Sequence, residues 1–183
     1  MDADVFFEPL LQFTLRKPGD WRYMPAAWSP VAHMKNVPET AVDWNTYANM
    51  PFCVAMGQHD SRRHAVPSLQ VTVRPFQRPG NVVAEEILQG QIDMLARLHN
   101  DLDMLEATSA ATVSGHRANF IRARFQLPIQ SPDGVSHIAI LSRSYVVFTP
   151  GRVFTVGLNS SADPDFYDEA QFAAIAASIR IDA

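Results

Sequence analysis

The chain has 183 residues, 47% of them apolar and 19% charged, which fits one globular domain and excludes a disordered chain. Fifteen Lys and Arg against nineteen Asp and Glu leave a formal net charge of -4, so no broad positive field draws polyphosphate, and nucleic acid is not the expected partner. No uninterrupted apolar run approaches the ~18 residues a bilayer span requires.

The apolar start VFFEPLLQFTL is preceded by Asp2 and Asp4 and broken by Glu8 and Pro9, which does not read as a secretory signal. The chain as given is expected to be soluble and cytoplasmic, and periplasmic only if a leader has been trimmed. In LLQFTLR, Leu11, Phe13 and Leu15 alternate with Gln12, Thr14 and Arg16, the period of a half-buried strand. Pro18, Gly19 and Asp20 then turn the chain. From Trp21 to Met50 periodicity is lost, broken by Pro25, Pro30 and Pro38, with one short helix expected near Thr40 to Ala48.

Two strands follow: PFCVAMG, with Phe52, Val54 and Met56 on one phase, and SLQVTVRPF, with Leu69, Val71 and Val73 inward. The polar stretch QHDSRRHAVP joins them. Asn81 is the expected N-cap of a helix with Glu85 and Glu86 in its first turns. Its apolar stripe runs through Ala84, Leu88, Ile92, Leu95, Leu98, Leu102 and Leu105, so it should lie on a sheet. Four candidate strands come next: ATVSG; HRANFIRARFQL, with Ile121, Ala123, Phe125 and Leu127 inward; SHIAILSRSYVVF; and RVFTVGL. Turn residues between them predict an antiparallel meander. A last helix is expected from Asp163-Pro164, with Phe172, Ile175, Ala176 and Ile179 on one side. The order of elements predicts an α+β fold, an antiparallel sheet flanked by helices.

Three stretches carry a resemblance: FTLRKPGDW, an opening strand running into a turn before Trp21; the late hairpin SYVVFTPGRVFTVGL; and the closing helix IAASIRI with Ser178 and Ile179. With them the chain resembles the PsbP-like superfamily, an αβα sandwich shared by the photosystem extrinsic protein PsbP, a Ran-binding nuclear-import factor and bacterial accessory proteins such as DcrB. The resemblance implies one such domain over residues 1–183, with an irregular aromatic-rich excursion over 21–50, and a non-enzymatic accessory role. That excursion is longer than the family leads one to expect.

No residue pattern amounts to a catalytic signature. His59, Asp60 and His64 are a legitimate ligand set for a transition metal, yet Arg62 and Arg63 between them repel a cation, and a solvated loop explains the same residues. Cys53, the single cysteine, cannot form an intramolecular disulfide and falls in an apolar strand, where a buried small side chain is expected. Neither a G-x-S-x-G elbow nor a phosphate-cradling glycine loop is present. Arg122 and Arg124, beside Phe120 and Gln126, read either as an anion platform or as a solvent-facing strand whose arginines pair with carboxylates. Asp163, Asp165, Asp168 and Glu169 read either as an acid-base or calcium cluster or as helix caps.

All three tryptophans, Trp21, Trp28 and Trp44, sit in the excursion with Tyr23 and Tyr47, and form a candidate binding surface; the plainer alternative is a cap over the sheet. The leading expectation is therefore a non-catalytic binding, accessory or chaperone-like domain contacting a protein or apolar ligand through Trp21, Tyr23, Trp28, Trp44 and Tyr47, with no cofactor and no metal. The alternative is a small metal-dependent or acid-base enzyme using His59, Asp60, His64 or His116.

Overall fold

The computed structural model describes residues 2–24, 50–57, 64–76, 83–99, 101–131 and 134–182, and for Ile129, Gln130 and Ser131 the backbone alone. Strands β1 (Val5–Glu8) and β2 (Phe13–Arg16) form an antiparallel pair, and β10 (Arg180–Ile181) joins the other edge of β2. A second, seven-stranded antiparallel sheet has the order β3-β4-β5-β9-β8-β7-β6. Its strands are β3 (Arg22–Tyr23), β4 (Cys53–Met56), β5 (Ser68–Pro75), β6 (Asp103–Val113), β7 (His116–Ser131), β8 (Gly134–Thr149) and β9 (Arg152–Ser161). The expected meander is β6 to β9, although of the strand read from ATVSG only Ala111–Val113 lie in β6, which starts at Asp103, and Ser114-Gly115 form the turn. Helices α1 (Ala84–Leu98) and α2 (Glu169–Ser178) complete the described elements.

Register decides what the large sheet offers each side. Across β5, β9, β8 and β7, Val73, Phe154, Val147 and Ala118 lie side by side, as do Val71, Val156, Tyr145 and Phe120. This face meets the small sheet and α2: the Phe13 ring stacks on Phe154 at 5.6 Å, and Phe172 of α2 takes the edge of Trp21 at 5.9 Å. The opposite face carries Thr72, Thr155, Val146 and Asn119 in one row. Helix α1 lies on it along β7, starting beside Arg117 and Asn119 and ending beside Phe125. The result is an antiparallel sheet flanked by helices.

Several boundaries differ from the sequence reading. In β4 the buried residues are Cys53 and Ala55, because they pair with the inward Val71 and Leu69; Val54 and Met56 lie opposite Gln70 and Ser68 and stay half-buried. Phe52 is buried just ahead of the strand. Helix α1 stops at Leu98, where the His99 N–H still reaches the Leu95 carbonyl at 3.0 Å. Leu102 and Leu105 are therefore outside the helix, and Leu98 is 66% exposed. The α1 N-cap is Val83 without a side-chain hydrogen bond; Asn81 and residues 40–48 lie outside the described residues.

Leu127 lies on the same face as Phe125 yet is 39% exposed, because the β7–β8 ribbon outruns its neighbours there. β9 pairs no further than Ile140, and β6 no further than Arg124. The Asp163-Pro164 start makes only a short 3-10 turn over Pro164–Phe166, and α2 begins later, capped by Asp168, whose carboxylate accepts from the Ala170 and Gln171 N–H groups at 2.9 and 3.2 Å. Strands β1, β3 and β10 lie outside the expected strands; the last two have two residues each, too few for a period.

Cys53 is enclosed in the core, and burial pushes its thiol up to about 12. It is expected to stay unmodified by an aromatic disulfide reagent at pH 8 in the native state and to react stoichiometrically in denaturant. Rapid native modification would contradict that packing.

Candidate functional site

Between α1 and the sheet lies a cleft of about 460 Å³, within the range of small-molecule sites. Its wall is one side of α1, including Ile87, Gln91, Met94 and Leu95. The floor comes from Ile121, Ala123 and Phe125 of β7, Ser142, Ser144 and Val146 of β8, and Thr72, Arg74 and Thr155 of β5 and β9.

Helix α1 is fastened chiefly by polar contacts. Asn119 Nδ2 donates to the Ala84 carbonyl at 3.0 Å and to Gln91 Oε1 at 3.3 Å. Arg117 pairs with Glu85 at 2.5 Å, and Ser109 Oγ donates to the same carboxylate at 2.9 Å. Hydrogen bonds from backbone and Ser109, with the Arg117 charge, hold the Glu85 carboxyl below its ordinary range. At the other end the His99 ring stacks on Phe125 at 3.9 Å. Ala84 is the one buried residue of the helix, so the space beneath its apolar stripe is only partly filled.

Gly90 faces this cleft from the middle of α1. A glycine there costs roughly 1 kcal/mol relative to alanine, and the usual compensation is close backbone approach. Among the described residues no such approach exists: a Cβ built at Gly90 meets nothing within 4 Å.

Of the five aromatic residues singled out in the sequence, two fall in the described residues. Trp21 is 2% exposed, and its ring lies so close over Gly57 that a Cβ there would come within 3.1 Å of the indole nitrogen. Tyr23 is half-buried; its hydroxyl donates to the Asp4 carbonyl at 3.0 Å, and burial raises its phenol above the ordinary value. Trp28, Trp44 and Tyr47 lie outside the described residues.

Comparison of this architecture with solved structures finds cyanobacterial PsbP (CyanoP) from Synechocystis sp. PCC 6803, with a TM-score of 0.53, 14% identity, and coverage of 99% of this chain and 94% of that one. The fold is PsbP-like. The chain is also similar to LpqN, involved in cell envelope biogenesis of Mycobacterium tuberculosis, at a TM-score of 0.49 and 17% identity, covering 93% of this chain and 83% of that one. No family model matches the sequence, and no curated protein matches it.

In this fold the opening and closing sequence motifs meet. Ser178 Oγ accepts from the Arg16 N–H at 2.9 Å and donates to the Ile175 carbonyl at 2.7 Å, tying α2 to β2. The two candidate histidines among the described residues, His64 and His116, are placed apart in this fold. His64 stacks on Phe166 at 3.7 Å, with Ser161 Oγ at 3.4 Å and Asp163 at 3.8 Å from its Nδ1. Both partners share one ring nitrogen, so the group is not arranged as a nucleophile-base relay, which needs hydroxyl and carboxylate on opposite nitrogens. His116 Nε2 instead lies 3.1 Å from the Ile181 carbonyl. His59 and Asp60 lie outside the described residues, and among those described no three His, Cys, Asp or Glu side chains cluster as metal ligands.

The arginines pair with carboxylates: Arg124 with Asp103 at 3.9 Å, and Arg122 with Glu169 at 3.5 Å. The sequence reading missed Arg143, which register sets opposite Arg122 on the inward face, 2% exposed. Its guanidinium makes a fork to Glu169, with Nε donating to Oε1 at 3.0 Å and Nη2 to Oε2. The guanidinium carbon lies 4.4 Å from the Phe172 centroid and 5.7 Å from that of Tyr167. The signal was legible: Arg143 falls on the inward phase between Leu141 and Tyr145.

Proposed function

We propose that this PsbP-like domain is a non-catalytic binding domain that holds an apolar ligand in the cleft between α1 and the seven-stranded sheet. The observation that carries the reading is Gly90. It weakens α1 at a position where a side chain would meet no neighbour, and any side chain there would enter the cleft.

Gly90→Leu is the test. Adding a helix-favouring residue in open space is expected to raise Tm by about 3 °C. It is also expected to reduce binding of the neutral fluorophore N-phenyl-1-naphthylamine at least fivefold. Stabilisation with an unchanged fluorophore titration would overturn the proposed site.

In the same reading Trp28, Trp44 and Tyr47 contact a protein partner, while Trp21 and Tyr23 anchor the start of their segment in the core. This rests on residue type: tryptophan and tyrosine supply large contact area with a polar handle. A Trp28→Ala/Trp44→Ala double variant is expected to keep the native far-ultraviolet circular dichroism and to lose partner capture. Undiminished capture by the folded variant would remove these residues from the interface.

A further inference from the structure

We infer, resting on the cleft reading above, that the occupant is a single-chain fatty carboxylate, its alkyl chain laid in the angle between α1 and β7 and its carboxylate turned toward Arg74. The floor is graded in polarity. Next to the helix, β7 contributes Ile121, Ala123 and Phe125; β8 mixes Ser142 and Ser144 with Val146; and the strands farther out contribute Thr72, Thr155 and Arg74. From β5 to β7 is three strand spacings, about 14 Å. A uniformly apolar ligand would strand its far end on hydroxyls and a cation, whereas an amphiphile matches both ends of the gradient.

Charge selects the head group. Among the described residues, Arg74 is the sole charged side chain lining the cleft, and no carboxylate pairs with it. Its guanidinium is free to take a planar carboxylate through two parallel hydrogen bonds. Size selects one chain. A water occupies about 30 Å³ in the liquid, close to the volume of a methylene, so a cleft of about 460 Å³ holds roughly 15 such groups. One chain of a dozen carbons with its head fits that space; a two-chain lipid does not.

The test measures displacement of bound N-phenyl-1-naphthylamine by dodecanoate and by 1-dodecanol, below their aggregation limits, in the wild-type protein and in Arg74→Gln. Dodecanoate is expected to compete at least fivefold better than dodecanol on the wild type. Arg74→Gln is expected to abolish that advantage and leave dodecanol unchanged. Equal competition by acid and alcohol on the wild type, or an acid advantage that survives Arg74→Gln, would overturn the head-group assignment; fluorophore binding that remains sensitive to Gly90→Leu would then leave the apolar cleft standing. Competition by a short two-chain phosphatidate as strong as by dodecanoate would overturn the single-chain assignment. Failure of the fluorophore and dodecanoate alike to bind would overturn both readings.

Discussion

Glu169→Ala is expected to destabilise the domain by about 3 kcal/mol at pH 7, although the carboxylate it removes is 49% exposed. The reason lies in what remains. Arg143 is fully enclosed, so without its partner a guanidinium stays buried with no counter-charge, and an uncompensated buried ion costs several kcal/mol. The half-exposed position of Glu169 sets the figure at the low end of the range for broken buried pairs. Arg143→Met in the Glu169→Ala background is expected to recover most of the loss, because the buried charge is gone and its volume is filled. Urea denaturation of the three variants measures this, and a Glu169→Ala cost below 1 kcal/mol would show that water reaches the guanidinium.

Acid should erase what the ionised Glu169 carboxylate contributes. The hydrogen bonds from Arg143, first, and the charges of Arg143 and Arg122 outweigh desolvation and hold the Glu169 carboxyl below its ordinary value of 4.5. A carboxylate depressed in the native state contributes stability that is present above the unfolded value and lost as pH falls through the native one. The gap between the wild type and Glu169→Gln is therefore expected to be constant from pH 7 to 5 and to close below about 4.5.

Phe154→Ala is expected to cost about 4 kcal/mol, the range for deleting a buried ring from a packed core. Phe154 has no exposed surface, stacks on Phe13 of the small sheet and meets Phe52 edge-on at 6.3 Å, so its loss opens a cavity bounded from both sheets. A loss below 1.5 kcal/mol with an unchanged m-value would mean that the sheets do not close on each other there.

Much of the framework was legible because period-two burial leaves a period-two sequence. Leu69, Val71 and Val73 of β5 and Ile121, Ala123 and Phe125 of β7 all face the sides their alternation predicted. The same logic misassigned β4, since Phe52, Val54 and Met56 outrank Cys53 and Ala55 in size, while the inward phase was set by the partner strand. In α1 the leucine stripe ran on smoothly into Leu102 and Leu105, hiding the helix end. The cleft had no sequence signal of its own: Arg74, Gly90 and Ser144 lie on three separate elements and look like ordinary surface residues.

Residue order alone determined the fold class, the four-strand meander and the two helices, because alternation, helical stripes and turn residues are local properties of a chain. Which phase of β4 turns inward, where the β7–β8 ribbon loses its neighbours, the burial of Arg143 and the opening beneath α1 were decided by the tertiary structure. Each depends on which strand lies beside which, and hydrogen-bonded register between segments distant in the chain leaves no trace in either segment taken by itself.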